Sequence, residues 1–257
     1  MAQKPIKIDS PTFFEEQSTR PSKSDLRRAR RTLKTVRQTG RHFAPLTPKT
    51  DAQREYLDAI KDNDVVLACG GAGVGKTYVA ARFGLQELIE GNYDRIIITR
   101  PMVAVSGENI GFLPGGVAEK TAPWGIPIID AFNDGASKAT VEKLVKDGKI
   151  DFVPFALIRG RTFNDCFILA DEGQNLTVEQ AKVLITRVGE NSKIVINGDI
   201  SGHQSDIRGT NGLDFLIDIA ERYDLDCEIF EFDDADVVRS GVAAQWVRAF
   251  TEHGVRK

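Results

Sequence analysis

The sequence holds only three cysteines and three histidines in 257 residues, and neither type clusters. Cys69, Cys166 and Cys227 each stand inside or beside an apolar run, and no CxxC-type pair at short spacing exists. That excludes a disulfide framework and a cysteine-based metal site, so free thiols buried in strands are expected. His42, His203 and His253 are equally isolated, and no zinc site is expected. Long apolar runs are also missing: nothing approaches the roughly 20 consecutive residues that a membrane helix needs. The amino terminus lacks the apolar centre of a secretory signal, so the expected location is cytoplasmic, or host-cytoplasmic for a viral chain, with no membrane partner. Internal repeats are absent as well.

What is present is ordinary globular material, 41% hydrophobic and 28% charged, enough for a packed core and for one principal domain. The net charge of −3 is unevenly spread. Between Arg20 and Arg41, nine basic residues face only Asp25, an excess of about +8. Residues 1–44 are expected to form a flexible, basic extension ahead of a domain spanning 45–257. Within the extension, Ser24 to Gln38 has helical spacing at Leu26, Ala29, Leu33 and Val36. Its polar face would be almost wholly arginine and lysine, either a solvated tail or an arm for nucleic-acid phosphate.

From Pro45 onward strand-like and helix-like runs alternate. Val65 to Cys69, Arg95 to Thr99, Phe152 to Phe155, Cys166 to Ala170, Lys193 to Asn197 and Glu228 to Phe232 are short and mostly apolar on both faces. Helical runs are expected at Tyr78 to Glu90, Val178 to Val188 and Leu213 to Arg222. This rhythm predicts an α/β fold with a doubly wound, mostly parallel sheet. The Gly- and Pro-rich stretch from about 107 to 149 reads as an inserted loop region with one short helix, Ser137 to Lys146.

One motif carries chemistry. Gly70-Gly71-Ala72-Gly73-Val74-Gly75-Lys76-Thr77 follows an apolar strand and opens a helix beginning near Tyr78, the context that a phosphate-binding P-loop requires. Its glycines let backbone N–H groups wrap phosphates, and the helix terminus adds positive potential. Lys76 would reach the β- and γ-phosphates of ATP, and the Thr77 hydroxyl would ligate Mg²⁺. A second apolar strand ends in Asp171-Glu172. In parallel sheets ligands gather at the carboxyl ends of strands, so Asp171 is expected in the magnesium shell and Glu172 against the attacking water.

The P-loop is accompanied, in order, by Thr50-Asp51-Ala52-Gln53-Arg54-Glu55-Tyr56, Ile98-Thr99-Arg100-Pro101, Gly107-Glu108-Asn109-Ile110-Gly111-Phe112-Leu113-Pro114-Gly115, Arg159-Gly160-Arg161-Thr162-Phe163, Asp171-Glu172-Gly173-Gln174-Asn175, Thr186-Arg187-Val188-Gly189, Gly198-Asp199 and Val237-Val238-Arg239-Ser240. Taken together, from about Leu46 to Phe250, these strings resemble the PhoH-like ATPases, which are related to the core of superfamily 1 helicases. The resemblance implies a single RecA-like P-loop domain, ATP hydrolysis, a link to RNA and a ring-like homo-oligomer, a hexamer being favoured. It matches Gln53 to the glutamine that reads adenine, and Gln204 to a γ-phosphate sensor. The spacer Ile200 to His203 before Gln204 is longer than the family's usual one. Gly173 stands where the family usually has alanine, and Ile126 stands where an arginine is usual. Arg187 and Arg239 are candidate charge stabilisers. A lone RecA-like core leaves one face of the nucleotide open, so a neighbouring subunit is the simplest supplier of Arg239 as a finger in trans.

Arg100, Arg159 and Arg161 follow strand-like runs, and Phe112, Trp124 and Phe163 offer rings on which bases of single-stranded RNA or DNA could stack; arginines paired with acids and core aromatics are the competing account. Three functional classes remain open on sequence: a nucleic-acid-linked ATPase or helicase-like remodeller, a nucleotide-gated oligomeric scaffold, and a small-molecule kinase, for which no acceptor pocket is recognisable.

Overall fold

The computed structural model describes residues 43–101, 125–199 and 209–233, with isolated positions at 236, 238, 241, 242, 245 and 246. The basic arm, Phe112, Trp124, Gln204 and Arg239 lie outside the described residues.

The chain runs α1 (Asp51–Asp62), β1 (Val65–Cys69), α2 (Lys76–Glu90), β2 (Arg95–Thr99), α3 (Ile126–Gly135), α4 (Lys138–Lys146), β3 (Ile150–Phe152), β4 (Cys166–Ala170), α5 (Val178–Ile185), β5 (Lys193–Gly198), α6 (Gly212–Tyr223) and β6 (Glu228–Glu231). The six strands form one sheet in the order β3-β2-β4-β5-β1-β6, and every pairing is parallel.

Alternation along each strand divides the core between two faces. Val66, Ala68, Ile96, Ile98, Phe167, Leu169 and Val195 point into a layer with α1, α2, α3 and α4, while Leu67, Ile97, Ile168, Ile194 and Ile196 meet α5 and α6 on the other side. Successive strand side chains point to opposite faces, so runs such as Arg95–Thr99 must be apolar at nearly every position to sit between two helical layers. Each fully buried Ile or Leu contributes about 1.5–3 kcal/mol relative to exposure, which makes this double burial the main source of stability.

Caps set the helix starts. Thr50 accepts from the Gln53 N–H, Ser137 from Thr140, and Asn211 from Leu213 and Asp214. Thr177 and Gln180 form a reciprocal capping box on α5. The amino ends of α2 and α3 have glycine N-caps, Gly75 and Gly125, with no side-chain cap; α3 carries Pro127 in its first turn, whereas α2 leaves its first N–H groups open to the cleft.

Several boundaries differ from the sequence expectation. The strand foreseen at Phe152 to Phe155 begins earlier, at Ile150, and ends before Pro154; Phe155–Leu157 is a 3₁₀ turn. Proline lacks the N–H that would continue the ladder. The helix expected to reach Val188 stops at Ile185. The short helix expected at Ser137 to Lys146 is present as α4, while α3, where a loop was expected, is an additional helix; Ile128, Phe132, Val141 and Leu144 are fully or nearly fully buried in the α1–α4 layer. Cys69 and Cys166 are buried free thiols as expected, but Cys227 is only half-buried because β6 is an edge strand. No helix among the described residues is long and apolar enough to cross a membrane.

Candidate functional site

The register brings four chain segments to one edge of the sheet. Ala68 and Cys69 of β1 pair with Asn197 and Gly198 of β5, Ala170 of β4 with Ile196, and Thr99 of β2 with Ala170. The residues just past these strands are the loop 70–75, Asp199, Asp171-Glu172 and Arg100. All but Arg100 border a cleft of about 310 Å³ lined by Ala72, Gly73, Gly75, Lys76, Thr77, Tyr78, Asp171, Glu172, Gln174, Asn197, Gly198 and Asp199, together with Pro127 from α3.

The loop's shape depends on glycine at two places. Gly70 and Gly75 have φ of +152° and +98°. A Cβ at Gly70 would fall 2.7 Å from Phe232 Cβ, and one at Gly75 would fall 2.5 Å from Gln53 Nε2. The backbone therefore makes a tight turn directly into α2, leaving first-turn N–H groups without a side-chain cap. Such uncapped donors favour an anion.

Lys76 folds back over this loop, donating to Gly70 O at 2.5 Å and Gly71 O at 2.9 Å. Burial lowers its pKa, and the carboxylates of Asp199, Asp171 and Glu172 oppose that shift. Thr77 Oγ1 donates to Asp171 Oδ1 at 2.7 Å, joining two segments 94 residues apart. Asp171 is 8% exposed. Burial raises its carboxyl pKa, Glu172 pushes the same way, and the Thr77 hydrogen bond, Arg100 and Lys76 oppose. A hydroxyl and a carboxylate held together, with oxygen donors only and more acids than lysines nearby, form a donor set that fits a hard divalent cation such as Mg²⁺.

Glu172 stands next in the chain with left-handed backbone, φ 57° and ψ 45°. Arg100 Nη2 lies 3.2 Å from its Oε1, and Gln174 Nε2 donates to its Oε2 at 2.6 Å. Gln174 Oε1 in turn accepts from the Asp199 N–H at 3.0 Å. Asn197 is 1% exposed; its Oδ1 accepts from Tyr56 Oη at 2.6 Å, while its Nδ2 has no hydrogen-bond partner among the described residues.

Gln53 sits beneath the loop. It is 4% exposed, donates from Nε2 to Val74 O at 2.9 Å, and accepts the Lys49 N–H on Oε1 at 2.9 Å. Both ends of its amide hold a backbone partner, which makes it a brace for the loop. Gln53→Glu would set an acceptor against the Val74 carbonyl. The expected result is a roughly tenfold higher KM for ATP and for GTP alike, with a smaller change in kcat, in steady-state assays. A rise for ATP alone would make the residue a reader of adenine instead.

Other sequence candidates lie elsewhere. Arg187 does not line the cleft: it follows α5, at the sheet edge where β4 and β5 begin, and its Nη1 reaches Arg161 O at 3.5 Å. The α5 crossover has carried the chain back along the sheet by that point. Arg161 pairs with Asp151 at 3.4 Å and covers the Phe163 ring at 4.8 Å, and Phe163 is 1% exposed, so this ring has no free face for a base. Of the stretch around Arg239, Val238 donates its N–H to Gly73 O at 3.0 Å. The roles of Gln174, Asn197 and Tyr56 were missed in the sequence; Tyr56 and Asn197 are 141 residues apart and no local pattern links them.

A glycine-turned loop between β1 and α2, on an all-parallel sheet wound on both faces, with an acid pair ending a strand one removed from β1, defines a P-loop NTPase core of the RecA and helicase type. A family model described as PhoH-like protein matches residues 45–251, and the chain belongs to that family. It is 42% identical to the PhoH-like protein of Mycobacterium tuberculosis (strain ATCC 25618 / H37Rv) over 81% of its own length and 58% of that protein's. It is 37% identical to Protein PhoH of Escherichia coli (strain K12) over 82% of its own length and 60% of that protein's. The chain thus spans about three-fifths of these relatives. Among solved structures, the UvsW helicase from bacteriophage T4 aligns over 79% of this chain and 67% of that one, with a TM-score of 0.46 and 14% identity.

Proposed function

We propose that this chain is a magnesium-dependent ATPase whose turnover is linked to single-stranded RNA or DNA and which works as a homo-oligomer, a ring being the natural arrangement for a single RecA-like core. The observation that carries the ATPase reading is the 2.7 Å contact between Thr77 and the buried Asp171, beside a loop whose lysine folds onto its own carbonyls. In this reading Gly71, Ala72, Gly73, Val74 and Gly75 offer backbone N–H groups to the phosphates, and Lys76 exchanges the Gly70 and Gly71 carbonyls for β- and γ-phosphate oxygens. Tyr78 lines the same cleft. Thr77 and Asp171 would hold Mg²⁺. The ion would neutralise charge on the phosphates as the terminal P–O bond breaks. Glu172 would orient the attacking water and take its proton, giving ADP and inorganic phosphate. Arg239, and Gln204 as sensor, complete the proposed catalytic set.

The nucleic-acid link is supported by the basic excess between Arg20 and Arg41 and by Arg100 at the carboxyl edge of the sheet. The test is ATP hydrolysis by wild type and Lys76→Ala, with and without single-stranded RNA and DNA. Turnover in wild type, its loss in Lys76→Ala and stimulation by a nucleic acid are expected. Binding without hydrolysis would favour a nucleotide-gated scaffold, and phosphate appearing on a metabolite would favour a kinase.

A further inference from the structure

Both carboxylate oxygens of Glu172 are engaged, one of them by a residue outside the nucleotide cleft. One carboxylate oxygen meets the Arg100 guanidinium at 3.2 Å, and the other accepts from Gln174 at 2.6 Å. Gln174 is 1% exposed and its own oxygen is bound to the Asp199 N–H, so that contact is part of the frame. Arg100 differs. It follows β2, which adjoins β4 on the side away from β5 and β1. It therefore approaches Glu172 from the flank opposite the P-loop, and it does not line the cleft. The two side chains of the pair are 30% and 31% exposed, so solvent and solutes reach both.

With Oε1 directed at Arg100 and Oε2 at Gln174, the Glu172 carboxylate is fixed in one orientation, and turning it toward a water in the cleft breaks the Arg100 contact. The Arg100 contact is the one that can yield, because a pair this exposed is weakly bound. The two non-bridging oxygens of a phosphodiester offer guanidinium a bidentate partner of the same charge as a carboxylate, so a nucleic-acid backbone at this edge competes directly with Glu172.

We propose that Arg100 is a clamp on Glu172, released when the phosphate backbone of a single-stranded nucleic acid recruits the guanidinium. The clamp makes idle turnover slow and couples the outer edge of the sheet to the water-activating group. It rests on the reading of Glu172 as the acceptor of the water's proton, and it makes Arg100 a positioning residue.

The test is steady-state Mg²⁺-dependent ATP hydrolysis by wild type, Arg100→Gln, Arg100→Lys and Glu172→Gln, each alone and with poly-U or poly-dT. Arg100→Gln is expected to raise kcat without polymer by about fivefold, with KM for ATP unchanged, and to gain nothing further from polymer. Arg100→Lys, which keeps charge but loses the fork, falls between it and wild type. If kcat of Arg100→Gln drops, stays at the wild-type value, or still rises with polymer by the wild-type factor, the clamp is wrong. If Arg100→Gln is faster but wild type does not respond to either polymer, nucleic acid is overturned as the releasing ligand. Absence of hydrolysis in wild type, or full activity in Glu172→Gln, would instead defeat the underlying ATPase reading.

Discussion

Glu172→Gln is expected to lower ATP turnover by about 10²–10⁴-fold while ATP affinity stays within a few-fold of wild type. The substitution is nearly isosteric. A glutamine oxygen can still accept from Gln174, and the residue remains in the same 3₁₀ entry after β4. What it loses is the capacity to take a proton from water, which matters only as the reaction proceeds. Uniform binding would be untouched, so the deficit belongs in kcat. Single-turnover kinetics beside equilibrium binding would separate the two. A variant with wild-type kcat and weakened binding would make Glu172 a ligand-holding group.

Asp171→Asn is expected to make the metal-free protein more stable and the enzyme at least about 10²-fold slower. Burial holds the Asp171 carboxyl above the ordinary carboxylate range. The folded protein therefore disfavours its ionised form relative to the unfolded chain, and at neutral pH that ionisation subtracts from stability. As pH falls, the folded state takes up the proton first. The cost fades through the raised folded value and is gone below the ordinary value of 3.8. Asparagine is neutral throughout and can accept from Thr77. Thermal melts in EDTA should give Asp171→Asn a higher Tm than wild type at pH 7, with the gap closing as pH approaches 4. A lower Tm at pH 7 would contradict this account. The catalytic loss follows because an amide cannot supply the negative charge that a hard cation needs.

The strands were legible because burial on both faces forces near-continuous apolar runs, as in Arg95–Thr99 and Cys166–Ala170. The P-loop was legible because glycine at positive φ and a following lysine must fall at fixed spacing. The helix α3 was obscured by Pro127 and by Gly125 and Gly135 at its ends, although Pro127 lies within its first turn, where its missing N–H costs little. Contacts made by strand order were out of reach. Arg100 meets Glu172 only because β2 lies beside β4, and Tyr56 meets Asn197 only because α1 packs against β1, which lies beside β5. The same applies to Arg187, whose displacement to the other end of the sheet follows from where α5 stops and the crossover ends.

The most direct measurement is equilibrium binding of ATP to the purified protein with and without magnesium, for wild type and Lys76→Ala. Saturable binding at a single site, tightened by magnesium and lost in Lys76→Ala, is the predicted result. No binding by wild type in the presence of magnesium, or equal binding by both proteins, would contradict the claim that the loop after β1 and the acids after β4 form one triphosphate site.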